Sequence, residues 1–299
     1  MMRHLTTLFL IAFAANAAAQ VMAYSVADDN FEFPDHLVAI NLETGEFTSM
    51  GQISDPYIAL EGLAISENGT LYGADDNTKT LVQIAINEAQ AFPVANVNQN
   101  FGFGSVPESY DFGMTFSCGN KLNMVVKHTG ELYSVNVMTG AATLVGDTGH
   151  NFTSLAAWGE DLYAVASGDF NLYQINPTTA EATLVGPLGD LGGDIELNGS
   201  GLAFDENGQL WMAINLRLSD PLNPFPSRIF QVNTESGAAE LISETLVGIE
   251  SLAITGPVGC ENVRGPQDIP VNTLSYPALL TMLLAMLAFG GLAFNRPSS

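Results

Sequence analysis

LYSVNVMTGAATLVG, residues 132–146, decides the fold of this chain. Apolar and polar side chains alternate on both sides of its centre, which is the two-residue period of a β-strand. Asn136, Thr139 and Gly140 stand between the two alternating runs. Asn and Thr side chains bond nearby backbone groups and glycine accepts a positive φ, so these residues predict a tight turn. The stretch is therefore predicted to be a β-hairpin.

The same hairpin recurs four more times along the chain. Each copy has an apolar run that ends in Asn, and in three of the five hairpins a Thr-Gly or Ser-Gly pair follows. The further copies are residues 37–45, 81–87, 172–176 and 229–237. Because repeated self-similarity identifies repeat architectures, the five hairpins predict five structural units.

A second pair of strands lies between the hairpins. Its first strand begins with Gly or Ser followed by Leu or Met. These pairs are residues 62–65 with 71–72, 113–116 with 122–124, 154–157 with 162–163, and 201–204 with 210–211. Four strands per unit, repeated at roughly 40 to 57 residues, are the pattern of a β-propeller. We name the strands A to D outward from the axis, because the small residues of the first strand suit the crowded centre.

The two ends of the propeller sequence complete one blade. Residues 251–254 have the pattern of an A strand, but no B strand follows them. Residues 22–26 precede the first hairpin and have no A strand before them. Pairing the two segments closes the ring and leaves no open sheet edge. We therefore predict an all-β fold, a five-bladed propeller of four-stranded blades that forms one domain over residues 20–256.

The repeat also resembles a known group of proteins. Leu-Tyr-x-Val/Ile-Asn followed by Thr-Gly-Ala-Ala-Thr-Leu-Val-Gly, most complete at residues 132–146, is similar to the repeats of secreted bacterial YVTN/NHL-like β-propeller proteins. The resemblance covers most of the chain between the two ends and implies the propeller fold. Such repeats occur in binding proteins, in lactonases and in proteins without known activity, so the resemblance leaves the function open.

The first 19 residues predict a signal peptide. Met-Met-Arg-His is followed by an apolar run over residues 5–15 and by alanines at residues 17–19. A basic start, a short apolar run and a small-residue cleavage site are typical of secretory signals, and this run is too short to span a membrane. We expect an exported protein of a Gram-negative bacterium, located in the cell envelope, on the outer surface or in the medium.

The last residues predict a membrane-directed tail. Residues 257–275 form a spacer, residues 276–295 an apolar helix long enough to cross a bilayer, and residues 296–299 a short end. The spacer resembles the IPTL-type C-terminal sorting signals of Gram-negative bacteria at Ile269, Pro270, Thr273, Leu274 and Ser275. Val271 and Asn272 interrupt that motif. The resemblance implies an exosortase-like processing protease as a partner, whereas the apolar length alone predicts a plain membrane anchor.

The chain is strongly acidic. Its 8 Lys and Arg residues against 32 Asp and Glu residues give a formal net charge of −24. Such a surface repels nucleic acid and attracts cations. We exclude nucleic acid as a partner, and interpret the acidity either as solubility in a salty exterior or as cation binding.

Cys118 and Cys260 are the two cysteines of the chain. Export into an oxidising compartment makes them candidates for a disulfide. In a propeller, the A-to-B and C-to-D connections lie on one face, here called the bottom face, and the other connections lie on the top face. Cys118 lies in an A-to-B turn and Cys260 follows the last A strand, so the topology predicts both on the bottom face. Residues 255–259 could cross part of that face and bring the two sulfurs within bonding reach.

Acidic residues gather on the predicted top face. Long loops on a rigid scaffold commonly bind ligands. Glu61 and Glu250 begin A strands of neighbouring blades, and they are the predicted ligands of a calcium ion at the axis, because calcium takes several oxygen ligands. In the alternative, the aspartates only form Asx turns. The predicted ligand-binding residues are Asp29, Asp76, Asp111 and Asp169.

The sequence favours a binding function over catalysis. It contains no His-Glu-x-x-His, Gly-x-Ser-x-Gly, phosphate-loop or Cys-x-x-Cys motif. We predict a surface-directed binding or interaction module whose acidic face takes an unidentified small ligand, glycan or protein. The alternatives are a calcium-dependent, lactonase-like propeller hydrolase and a structural protein of the extracellular matrix.

Overall fold

The computed structural model describes residues 20–28, 30–95, 101–102, 111–192, 196–217 and 225–260 of the chain. These residues form five antiparallel sheets, which confirms the predicted all-β propeller with five blades. The predicted signal peptide and the predicted sorting motif and helix lie outside the described residues. Within the part of the chain that the structure describes, no helix is long and apolar enough to cross a membrane.

Each blade follows the chain order. Blade 1 contains β1 (Met22–Ala27), β2 (His36–Asn41) and β3 (Phe47–Gln52). Blade 2 contains β4 (Leu60–Ile65), β5 (Leu71–Asp75), β6 (Thr80–Ala85) and β7 (Gln90–Pro93). Blade 3 contains β8 (Phe112–Ser117), β9 (Lys121–Val126), β10 (Glu131–Val135) and β11 (Ala142–Asp147). Blade 4 contains β12 (Phe152–Trp158), β13 (Asp161–Ala166), β14 (Asn171–Ile175) and β15 (Ala182–Pro187). Blade 5 contains β16 (Glu196–Phe204), β17 (Leu210–Arg217), β18 (Ser227–Val232) and β19 (Ala239–Thr245).

The two ends of the described chain share blade 1, as predicted. Tyr24 of β1 and Ala253 exchange two backbone hydrogen bonds, with N···O distances of 2.8 and 2.9 Å. A second bridge joins Ala27 to Ile249. Residues 251–254 therefore supply the inner strand that β1, β2 and β3 lack. The ring is closed by pairing between segments more than two hundred residues apart.

Small residues line the axis where the inner strands meet. A Cβ atom on Gly113 would lie 2.7 Å from the carbonyl carbon of Ser154, and one on Gly201 would lie 2.4 Å from that of Ser251. Real side chains do not approach so closely, so the small A-strand residues are required by the packing of neighbouring blades. Directly below them, one large apolar residue from each blade closes the axis; these are Leu63, Met114, Leu155, Leu202 and Leu252, all buried.

The predicted Asn-led turns are confirmed in four blades. In each of them the Asn Oδ1 atom accepts hydrogen bonds from the backbone N–H groups two and three residues ahead. These bonds fix the turn between the two outer strands, because they occupy N–H groups that the sheet does not pair. The four residues are Asn41, Asn136, Asn176 and Asn233.

The predicted disulfide is confirmed. Cys118 and Cys260 are bonded, with their Cα atoms 5.5 Å apart. Cys118 directly follows β8, and Cys260 lies six residues beyond Ile254 at the end of the last inner strand. Both residues lie on the bottom face, so the bond ties the end of the described chain to blade 3.

Candidate functional site

The top of the propeller axis holds a small pocket of about 170 Å³, part of it open to solvent. All five inner strands line it, and its floor is the ring of five apolar residues described above. Glu61 and Glu250 lie at its upper end, which is here called the axial mouth. Each precedes the small A-strand residue of its blade by one position. The sequence prediction that these two glutamates meet at the axial mouth agrees with this lining.

Glu250 is held in place from blade 5. Its side chain is buried, and its Oε1 atom accepts a hydrogen bond of 2.5 Å from Nδ2 of Asn215. Gly199 leaves the room that this carboxylate needs, because a Cβ atom there would lie 2.3 Å from Oε2 of Glu250. A charge-assisted bond from a buried amide fixes the carboxylate geometry more firmly than a neutral bond would.

Glu61 titrates in an unusual environment. Burial raises the pKa of its carboxyl well above the ordinary value of 4.5, and the nearby Glu250 raises this pKa further. Asp28, Asp111 and Asp76 act in the same direction, in decreasing order. Both causes disfavour the charged form, since burial removes water and like charges repel. Glu61 therefore holds its proton more tightly than an isolated carboxyl does.

Two lysines neutralise part of this negative charge. Lys79 forms an ion pair with Asp76, and Lys127 forms one with Asp111. The two aspartates are predicted ligand-binding residues, and the structure places both within electrostatic reach of Glu61. Five carboxyl groups thus contribute to the negative charge at the mouth, and these two ion pairs neutralise two of them.

Hydroxyl groups line the side of the mouth formed by blades 4 and 5. The Thr153 and Ser200 hydroxyl oxygens lie 2.6 Å apart, and Ser200 donates a hydrogen bond of 2.8 Å to Ser154. All three residues are buried. In the adjoining blade 1, the Ser25 and Ser251 hydroxyl oxygens are 3.3 Å apart. Hydroxyls can turn to donate or accept, so this wall can adjust its bonds to a ligand.

The remaining predicted site residues have separate positions. Asp169 accepts hydrogen bonds from the Tyr173 hydroxyl and from the Asn171 backbone, and it is not among the carboxyls that act on Glu61. Asp29 lies outside the described residues. Among the residues that the structure describes, no group of three His, Cys, Asp or Glu side chains is placed to hold a metal ion. The calcium ion predicted at Glu61 and Glu250 stays a prediction.

Sequence reasoning missed Asn215. The signal lies in the register between the A and B strands. In each blade one B-strand residue pairs with the small A-strand residue, and the informative position is two residues after it. Read across the blades, this column contains Asp28, Asp76, Lys127, Ser167 and Asn215. Aligning the B strands in that register, and not only the A strands, would have added Asn215 and Asp28 to the site.

We expect Glu61 to make the stability of the fold fall as the pH rises. The folded protein still holds the Glu61 proton at pH values where the unfolded chain has lost it. The free energy of unfolding therefore falls with rising pH, from about pH 4.5 until the pH reaches the pKa of Glu61 in the folded protein. Glu61→Gln removes the effect. The variant should melt at a higher temperature than the wild type near neutral pH and at a similar temperature near pH 4.

Thermal melting over a pH series measures this difference. Glu206→Gln is the matched control, because Glu206 is exposed in a turn of the bottom face and loses the same formal charge. Equal increases in melting temperature for Glu61→Gln and Glu206→Gln at neutral pH would show that only the change in net charge affects stability.

Comparison with known proteins agrees with the repeat architecture. Residues 19–148, which include β1 to β11, match a family described as a repeat of unknown function, DUF6923. The crystal structure of selenomethionine-substituted virginiamycin B lyase from Staphylococcus aureus is similar at 12% sequence identity and a TM-score of 0.41, over 74% of this chain and 68% of that chain. A likeness this weak says nothing about what this chain binds. No curated protein matches the sequence.

Proposed function

We propose that this protein is an exported binding module that takes a positively charged group of a ligand at its axial mouth. The observation that carries the proposal is the cavity shared by all five blades, with Glu61 and Glu250 at its entrance. A concave site at the centre of a rigid scaffold, with a few convergent polar groups, is the common form of a ligand site.

The chemistry of the mouth favours a cation. A cationic group beside Glu61 would stabilise the ionised carboxylate and so reverse the cause of its raised pKa. Ligand binding would then release a proton from Glu61, and Glu250 would accept the cation in a geometry fixed by Asn215. An ammonium group can also donate hydrogen bonds to the hydroxyls of the wall.

Export and surface display belong to the proposal as well. The signal-peptide pattern and the apolar tail support them, and a disulfide is typical of exported proteins. Because Cys260 lies on the bottom face, a tail that continues from it toward a membrane would leave the acidic mouth facing the medium. Processing by an exosortase-like protease rests on the resemblance of the tail to IPTL-type signals.

Calcium is one cation that this mouth could take, and it is tested beside an organic one. The hydrolase and matrix-protein alternatives have no observation in their favour beyond the same acidic mouth. A hydrolase would in addition need a base or nucleophile within reach of the bound group.

Calorimetric titration of the full-length chain tests the proposal, with spermidine as an organic cation and calcium chloride as an inorganic one. Glu61→Gln/Glu250→Gln should lower the affinity for the preferred cation at least about tenfold, which corresponds to about 1.4 kcal/mol. Glu206→Gln/Glu235→Gln removes the same formal charge from two exposed bottom-face turns and should change the affinity little. Equal losses of affinity in the two double variants would mean that the cations are attracted only by the net negative charge of the protein surface.

A further inference from the structure

Residues 255–260, here called the strap, run across the bottom face after the last inner strand. A Cβ atom on Gly256 would lie 2.7 Å from the Ser66 carbonyl oxygen in blade 2, so the strap passes directly over that turn. The Val258 carbonyl oxygen accepts a hydrogen bond of 2.8 Å from the Gly159 N–H in blade 4. Cys260 then bonds Cys118 in blade 3. The strap therefore touches the A-to-B turns of three blades.

The strap covers a second cavity on the axis. This lower cavity occupies about 320 Å³, part of it open to solvent, and lies below the ring of five apolar residues. Its walls are the lower halves of the inner strands, where the side chains are almost all apolar. Thr255, Gly256 and Val258 of the strap supply the rest of its lining. Without the strap, this end of the axis would be open on the bottom face.

Few contacts other than the disulfide hold the strap. Its described backbone hydrogen bonding to the propeller consists of the Gly159 to Val258 bond. Val258 packs on the hydrophobic cluster that contains Trp158 and Phe204. Gly259 lies on the Trp158 indole, since a Cβ atom there would be 2.6 Å from the ring. Residues 255–258 are half-buried, and Gly259 and Cys260 are exposed. A segment with one described backbone hydrogen bond to the propeller opens more readily than the sheets once its covalent tie is cut.

We infer that the Cys118–Cys260 disulfide is a redox latch that keeps the strap closed over the lower axial cavity. Cys260 is exposed, so a dithiol reductant can attack the bond. The dithiol supplies two electrons and two protons, becomes a cyclic disulfide and leaves Cys118 and Cys260 as thiols. After reduction the propeller ring stays closed, because the bridge between Tyr24 and Ala253 lies before the strap in the chain and does not depend on it. This inference does not depend on the ligand of the mouth.

Trp158 reports the state of the latch. The chain has two tryptophans, and the other, Trp211, is buried at 1% exposure. Quenching of tryptophan fluorescence by acrylamide, a neutral quencher, should rise at least about twofold for Trp158 when dithiothreitol reduces the full-length chain, because the strap then leaves the indole. Cys118→Ser/Cys260→Ser should show the raised quenching without any reductant.

Trp158→Phe provides the control, since its remaining emission comes from Trp211 and should not respond to the reductant. Titration of two free thiols in the reduced sample establishes that the bond was cut. Unchanged Trp158 quenching after that titration would overturn the latch. A rise in Trp211 quenching in Trp158→Phe would also overturn it, because reduction would then open blade 5 as well as the strap.

Discussion

Ala253→Pro should open the propeller ring and make the chain aggregate. The Ala253 N–H donates to the Tyr24 carbonyl oxygen at 2.9 Å, and proline has no N–H to donate. The Tyr24 carbonyl would be left unpaired, at a cost of about 1–3 kcal/mol, and β1 would become an open sheet edge. We expect a lower melting temperature and soluble oligomers, measured by thermal scanning and by size-exclusion chromatography with light scattering.

Ala253→Gly is the matched control for this prediction. It keeps the N–H group and removes one buried methyl group, which should cost about 1 kcal/mol without opening the ring. If the proline variant were as stable and as monomeric as the glycine variant, the pairing of Tyr24 with Ala253 would not be what closes the ring.

Cys118→Ser/Cys260→Ser should strongly lower the stability of the propeller. The disulfide joins residues 142 positions apart, and a cross-link of that span restricts the unfolded chain by about 5 kcal/mol in the chain-entropy model. For a domain of this size the loss corresponds to a melting temperature lower by about 10–20 °C. Differential scanning calorimetry of the variant beside the oxidised wild type measures it.

The reduced wild type provides the control for the disulfide prediction. Because it lacks the same covalent bond and keeps the native side chains, it should melt close to the double serine variant. A wild type that melts at the same temperature before and after full reduction would show that the bond does not stabilise the propeller.

The fold could be predicted from the sequence because its information is local and repeated. The hairpin at residues 132–146 contains its own turn chemistry, and the structure shows the Asn136 side chain making the expected bonds. The small residue that starts each A strand marked the axis, as the close approach of Gly113 to blade 4 shows. Ring closure followed from counting strands, since the lone A and B strands at the two ends had no other partners.

The site could be predicted only in part. Glu61 and Glu250 were placed correctly at the mouth, because both occupy the same position of an A strand. Asn215 was missed, because its role depends on the register between β16 and β17 and on the space at Gly199. The topology predicted that residues 255–259 cross the bottom face and bring Cys260 to Cys118. The packing of this segment on Trp158 was missed, since no pattern in residues 255–260 indicates it.

Proton release during cation binding tests the proposed mouth most directly. Spermidine or calcium chloride, whichever binds more tightly, is titrated into the protein at one pH in buffers that differ in ionisation enthalpy. If the cation enters beside Glu61, the wild type releases a measurable fraction of a proton per cation bound, because binding ionises a carboxyl whose pKa is raised. Glu61→Gln should bind more weakly and release none. Equal proton release by both proteins, or tight binding without any release, would contradict a cation site at the axial mouth.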